Sequence, residues 1–170
     1  MHVAIAAGAL LASLIWGDWR RWRDYRPAMM YFAIGNLLYL YLCSGHMLWT
    51  LKPDLFPKSV LTEVIYTFVT FPLTALLFLS NYPKRTAAVI FHYVQWIALY
   101  AGVEWLLSLT GRIVYSNGWS FWWSLLFDVT LFPMLRLFYR RELLAYVFSV
   151  GLTILWLVLF RVPMNGAPAQ

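Results

Sequence analysis

The chain is poor in charge, and poorer in acid than in base. Only 12% of its 170 residues are charged, with Asp and Glu numbering 7 against 13 Lys and Arg. A soluble domain is about one-quarter charged, so this chain has too little polar side chain to cover a water-facing globule. It has one cysteine, Cys43, which excludes an internal disulfide and any multi-cysteine metal site. Cys43 lies in an apolar run and reads as a packed small side chain. The histidines, His2, His46 and His92, show no metal-ligand spacing. There is no G-x-S-x-G, no phosphate-binding loop and no H-E-x-x-H pair. Neither a metal nor a cofactor is expected, and a non-enzymatic reading leads over an enzymatic one. No basic segment precedes the first apolar run and no A-x-A-like site closes it, so no cleavable signal peptide is expected.

What the chain does have is apolar sequence, 62% hydrophobic and 19% aromatic. Six runs stand out, at 2–17, 28–46, 60–81, 87–110, 119–138 and 143–162. Most approach the ~20 residues a helix needs to cross a bilayer. The sequence therefore predicts one all-α domain over 1–170, a polytopic transmembrane bundle of six spans. The first run is short, and five spans result if it is inserted or interfacial. The net charge of +6 does not point to nucleic acid, because Lys and Arg fall almost entirely between the runs. Counting Arg136 with the fifth connector, nine of the 13 lie in the first, third and fifth connectors. Basic residues gather on the cytoplasmic side. Those three connectors are expected inside, and both termini outside if all six runs span.

Two hairpins look alike. "VTFPLTALLFLSNYPKR" in the third run and "VTLFPMLRLFYRR" in the fifth each carry Phe-Pro followed by a basic cluster. Runs two and three would then repeat as runs four and five, in parallel, as membrane folds with a site between repeats do.

The chemistry lies in the few polar residues inside the runs. Asp128 sits mid-run in the fifth, where a carboxylate costs ~2.5–3.5 kcal/mol on insertion scales. It should therefore face the bundle interior. Pro133 frees the Val129 carbonyl beside it, and Pro72 frees that of Phe68 beside Thr67 and Thr70. Asn36 is mid-run in the second. Glu63 and Glu104 belong to the outer halves of the third and fourth. Together Asp128, Glu104, Asn36 and Glu63 are the candidate ligand-binding set, for a proton, cation or small solute. A second reading has them stitch helices by hydrogen bonds, with Glu104 reaching Arg112. His92 and Gln95, three apart, share a helix face and form a secondary polar pair. Arg136 lies ~12 Å beyond Asp128 along a helix, too far to pair with it. It is expected to snorkel or to meet a neighbouring helix.

The first connector, "WGDWRRWRDYRP", reads as a lipid-interface anchor. Trp16, Trp19 and Trp22 recur every third residue, flanked by Arg20, Arg21, Arg23 and Arg26, with Asp18 and Asp24 able to pair locally. Asn117-Gly118 signals a tight turn, and Trp119, Trp122 and Trp123 form an aromatic belt after it.

Several pieces occur in a characteristic order: "WGDWRRW", "LWTLKPD", the "FP" and "NYP" of the third run, "EW" at 104–105, "NGWSFWWS", "FPMLRLFY" and "LLAY". Together they resemble an uncharacterised family of small multi-span membrane proteins from spore-forming Gram-positive bacteria. The resemblance covers most of the chain. It implies a bacterial cytoplasmic-membrane location and carries no assigned activity and no catalytic residues. Three functional classes follow. The first is a small transporter or channel built around the polar set. The second is a non-enzymatic assembly or accessory protein, self-associating or bound to a membrane partner. The third is a membrane-embedded enzyme acting on lipid. Membrane lipids are the expected contacts in all three, and nucleic acid in none.

Overall fold

A computed structural model describes residues 1–53 and 59–163. Asp54, the last residue of the "KPD" motif, lies outside the described residues. The described residues fold into six helices: α1 (His2–Trp16), α2 (Trp22–Leu42), α3 (Ser59–Ser80), α4 (Thr86–Leu109), α5 (Phe121–Arg140) and α6 (Glu142–Leu159). They follow the six apolar runs closely. The main departure is α2, which starts six residues early, because its exposed first turns carry Arg23, Asp24 and Arg26 and hydropathy does not mark them.

Four helices, α3 to α6, are long and apolar enough to cross a membrane. The segments His2–Trp16 and Trp19–Leu42 qualify only together, and they are bent by 92°. That makes four candidate spans, or five if the bent pair counts as one. Gly17 ends α1. A Cβ there would lie 2.4 Å from the Ser13 carbonyl oxygen, so the chain can close against that carbonyl only without a side chain.

The core forms around α3. Its second half, Leu73 to Leu79, is buried without a break. α3 packs along α2, takes α1 on another side and touches α5, while α5 lies against α4, α6 and α2. Tyr25, Phe32, Phe78, Phe132, Leu135 and Phe138 fill the space between. α4 and α6 bury only 6% of their apolar windows. Ile90, Phe91, Val94 and Leu99 on α4, and Val147, Val150 and Ile154 on α6, stand exposed. Single exposed apolar residues are ordinary on a soluble protein, but continuous apolar helix flanks are not. This surface suits lipid.

Connectors one, three and five meet at one end of the bundle. There Asn81 Nδ2 donates to the Trp16 carbonyl at 2.9 Å, Tyr25 stacks on Tyr139, and the Arg136 guanidinium lies 3.9 Å from the Tyr82 ring centroid. Connectors two and four meet at the other end, where they form a small antiparallel pair, β1 (Trp49–Leu51) and β2 (Ile113–Tyr115), with Thr50 opposite Val114. Tyr39 stacks flat on Trp49, with ring centroids 3.8 Å apart, and its hydroxyl donates to the Trp49 carbonyl. Asn117 and Gly118 turn the chain with φ of 52° and 81°, the left-handed pair that Asn-Gly favours. Met1 and His2 reach this sheet end, as does Phe160, whose carbonyl accepts from His46.

The two Phe-Pro sites behave differently. Pro72 has no N–H to return, and the Phe71 N–H bonds back five residues to the Tyr66 carbonyl. The result is a widened π-helical turn over Tyr66–Thr70. α5 runs through Pro133 without such a turn.

Candidate functional site

The candidate set resolves into two pairs. The first lies between α4 and α5. Asp128 is 5% exposed, and its Oδ2 is buried with no hydrogen-bond partner among the described residues. It lies within electrostatic reach of Glu104 on the facing helix. Both helices present an i, i+4 ladder to the contact: Tyr100 and Glu104 on α4, Ser124 and Asp128 on α5. The Tyr115 hydroxyl donates to Glu104 Oε1 at 2.6 Å, and Ser124 is a further partner of that carboxylate. Trp119 Nε1 in turn donates to Ser124 Oγ at 2.8 Å. β2 and the turn after it thus hold Glu104 in place, while among the described residues no side chain bonds Asp128 Oδ2.

Burial raises the Tyr115 phenol above its ordinary value, and the Glu104 carboxylate beside it adds to the effect. The hydroxyl therefore keeps its proton and stays a donor to Glu104 through neutral and mildly alkaline pH.

The second pair lies between α2 and α3. Asn36 Nδ2 donates to Thr67 Oγ1 at 2.8 Å, inside the π-helical turn. Glu63 faces Asn36 and the Leu51 backbone amide. Thr62 and Thr70, one on either side of Thr67, are buried with hydroxyls that have no partner among the described residues. A widened turn with two orphaned hydroxyls is the kind of local departure that clusters at working sites. The link between the pairs runs through two tyrosines. Tyr100 donates to Thr74 Oγ1 at 2.9 Å and lies within electrostatic reach of both Asp128 and Tyr66. Tyr66 meets His2, whose Nδ1 is 3.0 Å from the Tyr66 hydroxyl and whose Nε2 donates to the Lys52 carbonyl at 2.9 Å.

Two expectations need correction, and two further groups take a definite place. Arg112 does not reach Glu104, because its Nη1 donates to the Pro53 carbonyl at 2.8 Å. His92 and Gln95 do not act together. His92 is buried, stacks on Phe78 and donates to its carbonyl, whereas Gln95 is exposed. Three residues turn a helix through about 300°, enough to carry Gln95 past the buried stripe. Arg136 meets a neighbouring element, stacking over Tyr82 of the third connector as well as over Tyr139. Trp16, Trp19 and Trp22 share no helix, since Trp16 ends α1, Trp19 opens a 3₁₀ turn capped by Asp18, and Trp22 opens α2. All three remain exposed, as do Arg20, Arg21, Arg23 and Arg26. The local pairing holds at Arg21, whose Nε donates to Asp24 at 3.2 Å.

The sequence reading missed Tyr115, Tyr100 and Ser124, and it placed Thr67 beside a freed carbonyl without pairing it with Asn36. Ser124 was within reach of it, one helical turn before Asp128 on the same face, as Tyr100 is before Glu104. Tyr115 was not, since its approach to Glu104 depends on β2 folding back along α4.

Chemically, two carboxylates with hydroxyl neighbours can hold a proton or a monovalent cation. No cluster of three His, Cys, Asp or Glu forms among the described residues. No family model, curated protein or solved structure matches this chain, so the comparisons identify no family for it.

Proposed function

We propose that the chain is a six-span protein of the bacterial cytoplasmic membrane that moves a proton or small cation through its interior. The first, third and fifth connectors face the cytoplasm, and α1 crosses as a short span. The observation that carries the reading is the Asp128 carboxylate: buried, without a hydrogen-bond partner for Oδ2 among the described residues, and within electrostatic reach of Glu104. A carboxylate at that depth is costly and is by default a functional candidate. A group kept only to join helices would be satisfied. The π-helical turn beside Asn36 and Thr67 adds a second polar station between α2 and α3, reached from the first through Tyr100 and Tyr66. The hairpins α2–α3 and α4–α5 act as the two repeats, each giving one strand to the β1–β2 pair. Their difference at Pro72 and Pro133 makes the repeat an asymmetric one.

A second reading, a non-enzymatic assembly protein, draws support from the pairing of Asn36 with Thr67 and of Glu104 with Tyr115. Flux separates the two. In vesicles carrying the parent chain, an imposed pH or cation gradient should collapse faster than in empty vesicles. Asp128→Asn and Glu104→Gln should abolish the difference. Parent vesicles as tight as empty ones, or variants as leaky as the parent, would sink the transport reading.

A further inference from the structure

At the basic end of the bundle, between α2 and α6, lies a hollow of about 490 Å³. The volume is in the range of small-molecule sites. One wall is an i, i+4, i+8 ladder on α2: Arg26, Met30 and Ile34. Along a helix axis that ladder covers ~12 Å. The other wall is Glu142 and Tyr146, one turn apart on α6. The floor is aromatic and fixed. Tyr31 stacks on Phe138 with ring centroids 4.2 Å apart, and the Tyr31 hydroxyl lies 2.6 Å from Ser149 Oγ. Met30 and Ile34 are exposed along the ladder, so the hollow opens sideways onto the apolar flank of the bundle.

The charges decide the occupant. Arg26 and Glu142 both line the hollow and both are exposed, yet they form no ion pair with each other. Among the described residues the ion pairs all belong to Arg21. Two opposite charges held apart at the rim of an apolar slot match a headgroup that carries both signs. A phosphate diester fits the guanidinium fork of Arg26. An ammonium with N–H donors fits the Glu142 carboxylate. A lipid carrying phosphate alone would leave Glu142 facing a like charge.

We propose that this hollow is a binding site for a phospholipid whose headgroup holds both a phosphate and a primary ammonium, a phosphatidylethanolamine. The phosphate sits on Arg26, the ammonium on Glu142, and the first carbons of an acyl chain lie along Met30 and Ile34 over the Tyr31–Phe138 floor. The proposal shares the membrane reading above but is independent of the interior carboxylates.

The test is lipid retention by the detergent-solubilised full chain. The chain would be offered equal amounts of phosphatidylethanolamine, phosphatidylglycerol and phosphatidylcholine with the same acyl chains, and the retained lipid counted by native mass spectrometry. Phosphatidylethanolamine should be held about tenfold over each competitor, the worth of one charge-assisted hydrogen bond. Glu142→Gln should erase that preference, and Arg26→Gln should lower retention of all three lipids. Met30→Trp, which fills the slot from its open side, should displace lipid and leave the melting temperature within a degree or two. Equal retention of the three lipids by the parent, a preference for phosphatidylglycerol, or an unchanged preference in Glu142→Gln would overturn the proposal. Gradient collapse in vesicles is a separate readout, so the groove and the interior site can fail independently. Recovery of the chain from cells without detergent would end both.

Discussion

Asp128→Val is the substitution whose sign separates a working site from a structural stitch. The parent side chain is 5% exposed, with Oδ2 unpartnered among the described residues. A buried polar group left without a partner costs about 1–3 kcal/mol. Valine branches at Cβ rather than Cγ but is of comparable bulk and has no polar atom, so it removes that cost and adds apolar burial one turn from Phe132. In a chain of this length each kcal/mol moves the melting temperature by about 2–4 °C. The variant should therefore melt about 2–12 °C higher than the parent in detergent, while losing gradient collapse in vesicles. Gaining stability while losing activity is the usual signature of a site maintained against its own packing. The assay is thermal unfolding followed by tryptophan fluorescence, paired with flux on the same preparations. A lower melting temperature together with unchanged flux would refute the reasoning. It would mean that Asp128 holds α5 to a neighbour and does nothing else.

Further outcomes follow from the same contacts. Tyr115→Phe removes the hydroxyl that Glu104 accepts from, and should cost about 1–3 kcal/mol by denaturant or thermal unfolding. The phenol's raised folded-state value makes its contribution complete below the unfolded value of ~10, and lost as pH climbs toward the folded one. The gap between parent and Tyr115→Phe should accordingly narrow above pH ~10, and a gap constant to higher pH would contradict it. The Asn36→Leu and Thr67→Val pair should show a coupling of about 0.6–1.7 kcal/mol in a double-mutant cycle on stability; additivity would remove their hydrogen bond from the account. Arg136→Lys keeps the charge but loses the planar stack over Tyr82, and should lower stability by about 0.5–2 kcal/mol, read as a melting shift.

The helices were legible because their signal is local. Runs of apolar residues broken by Gly17, Asn81-Tyr82-Pro83 and Asn117-Gly118 mark them out, and composition alone points to a membrane. The interior position of Asp128 was legible too, since burial follows from the cost of placing a carboxylate in lipid. Three-residue strands such as Trp49–Leu51 and Ile113–Tyr115 are too short for an alternating pattern to register. Their pairing is a long-range event, and with it went the partner of Glu104. The different responses at Pro72 and Pro133 were hidden because both sites read Phe-Pro. The path the freed backbone takes depends on packing, against α1 and α2 in the first case and against α4 and α6 in the second. The Arg136 stack escaped notice for the same reason, since its ring partner Tyr82 belongs to another connector.

The most direct measurement is a double-mutant cycle on flux rather than on stability. The parent, Asp128→Asn, Glu104→Gln and the double variant would be reconstituted at equal density, and the rate of gradient collapse recorded for each. If the two carboxylates serve one station, either substitution alone stops the movement and the second removes nothing more. Independent, multiplying losses would mean that the facing side chains of α4 and α5 work apart, and four identical rates would mean that they carry nothing.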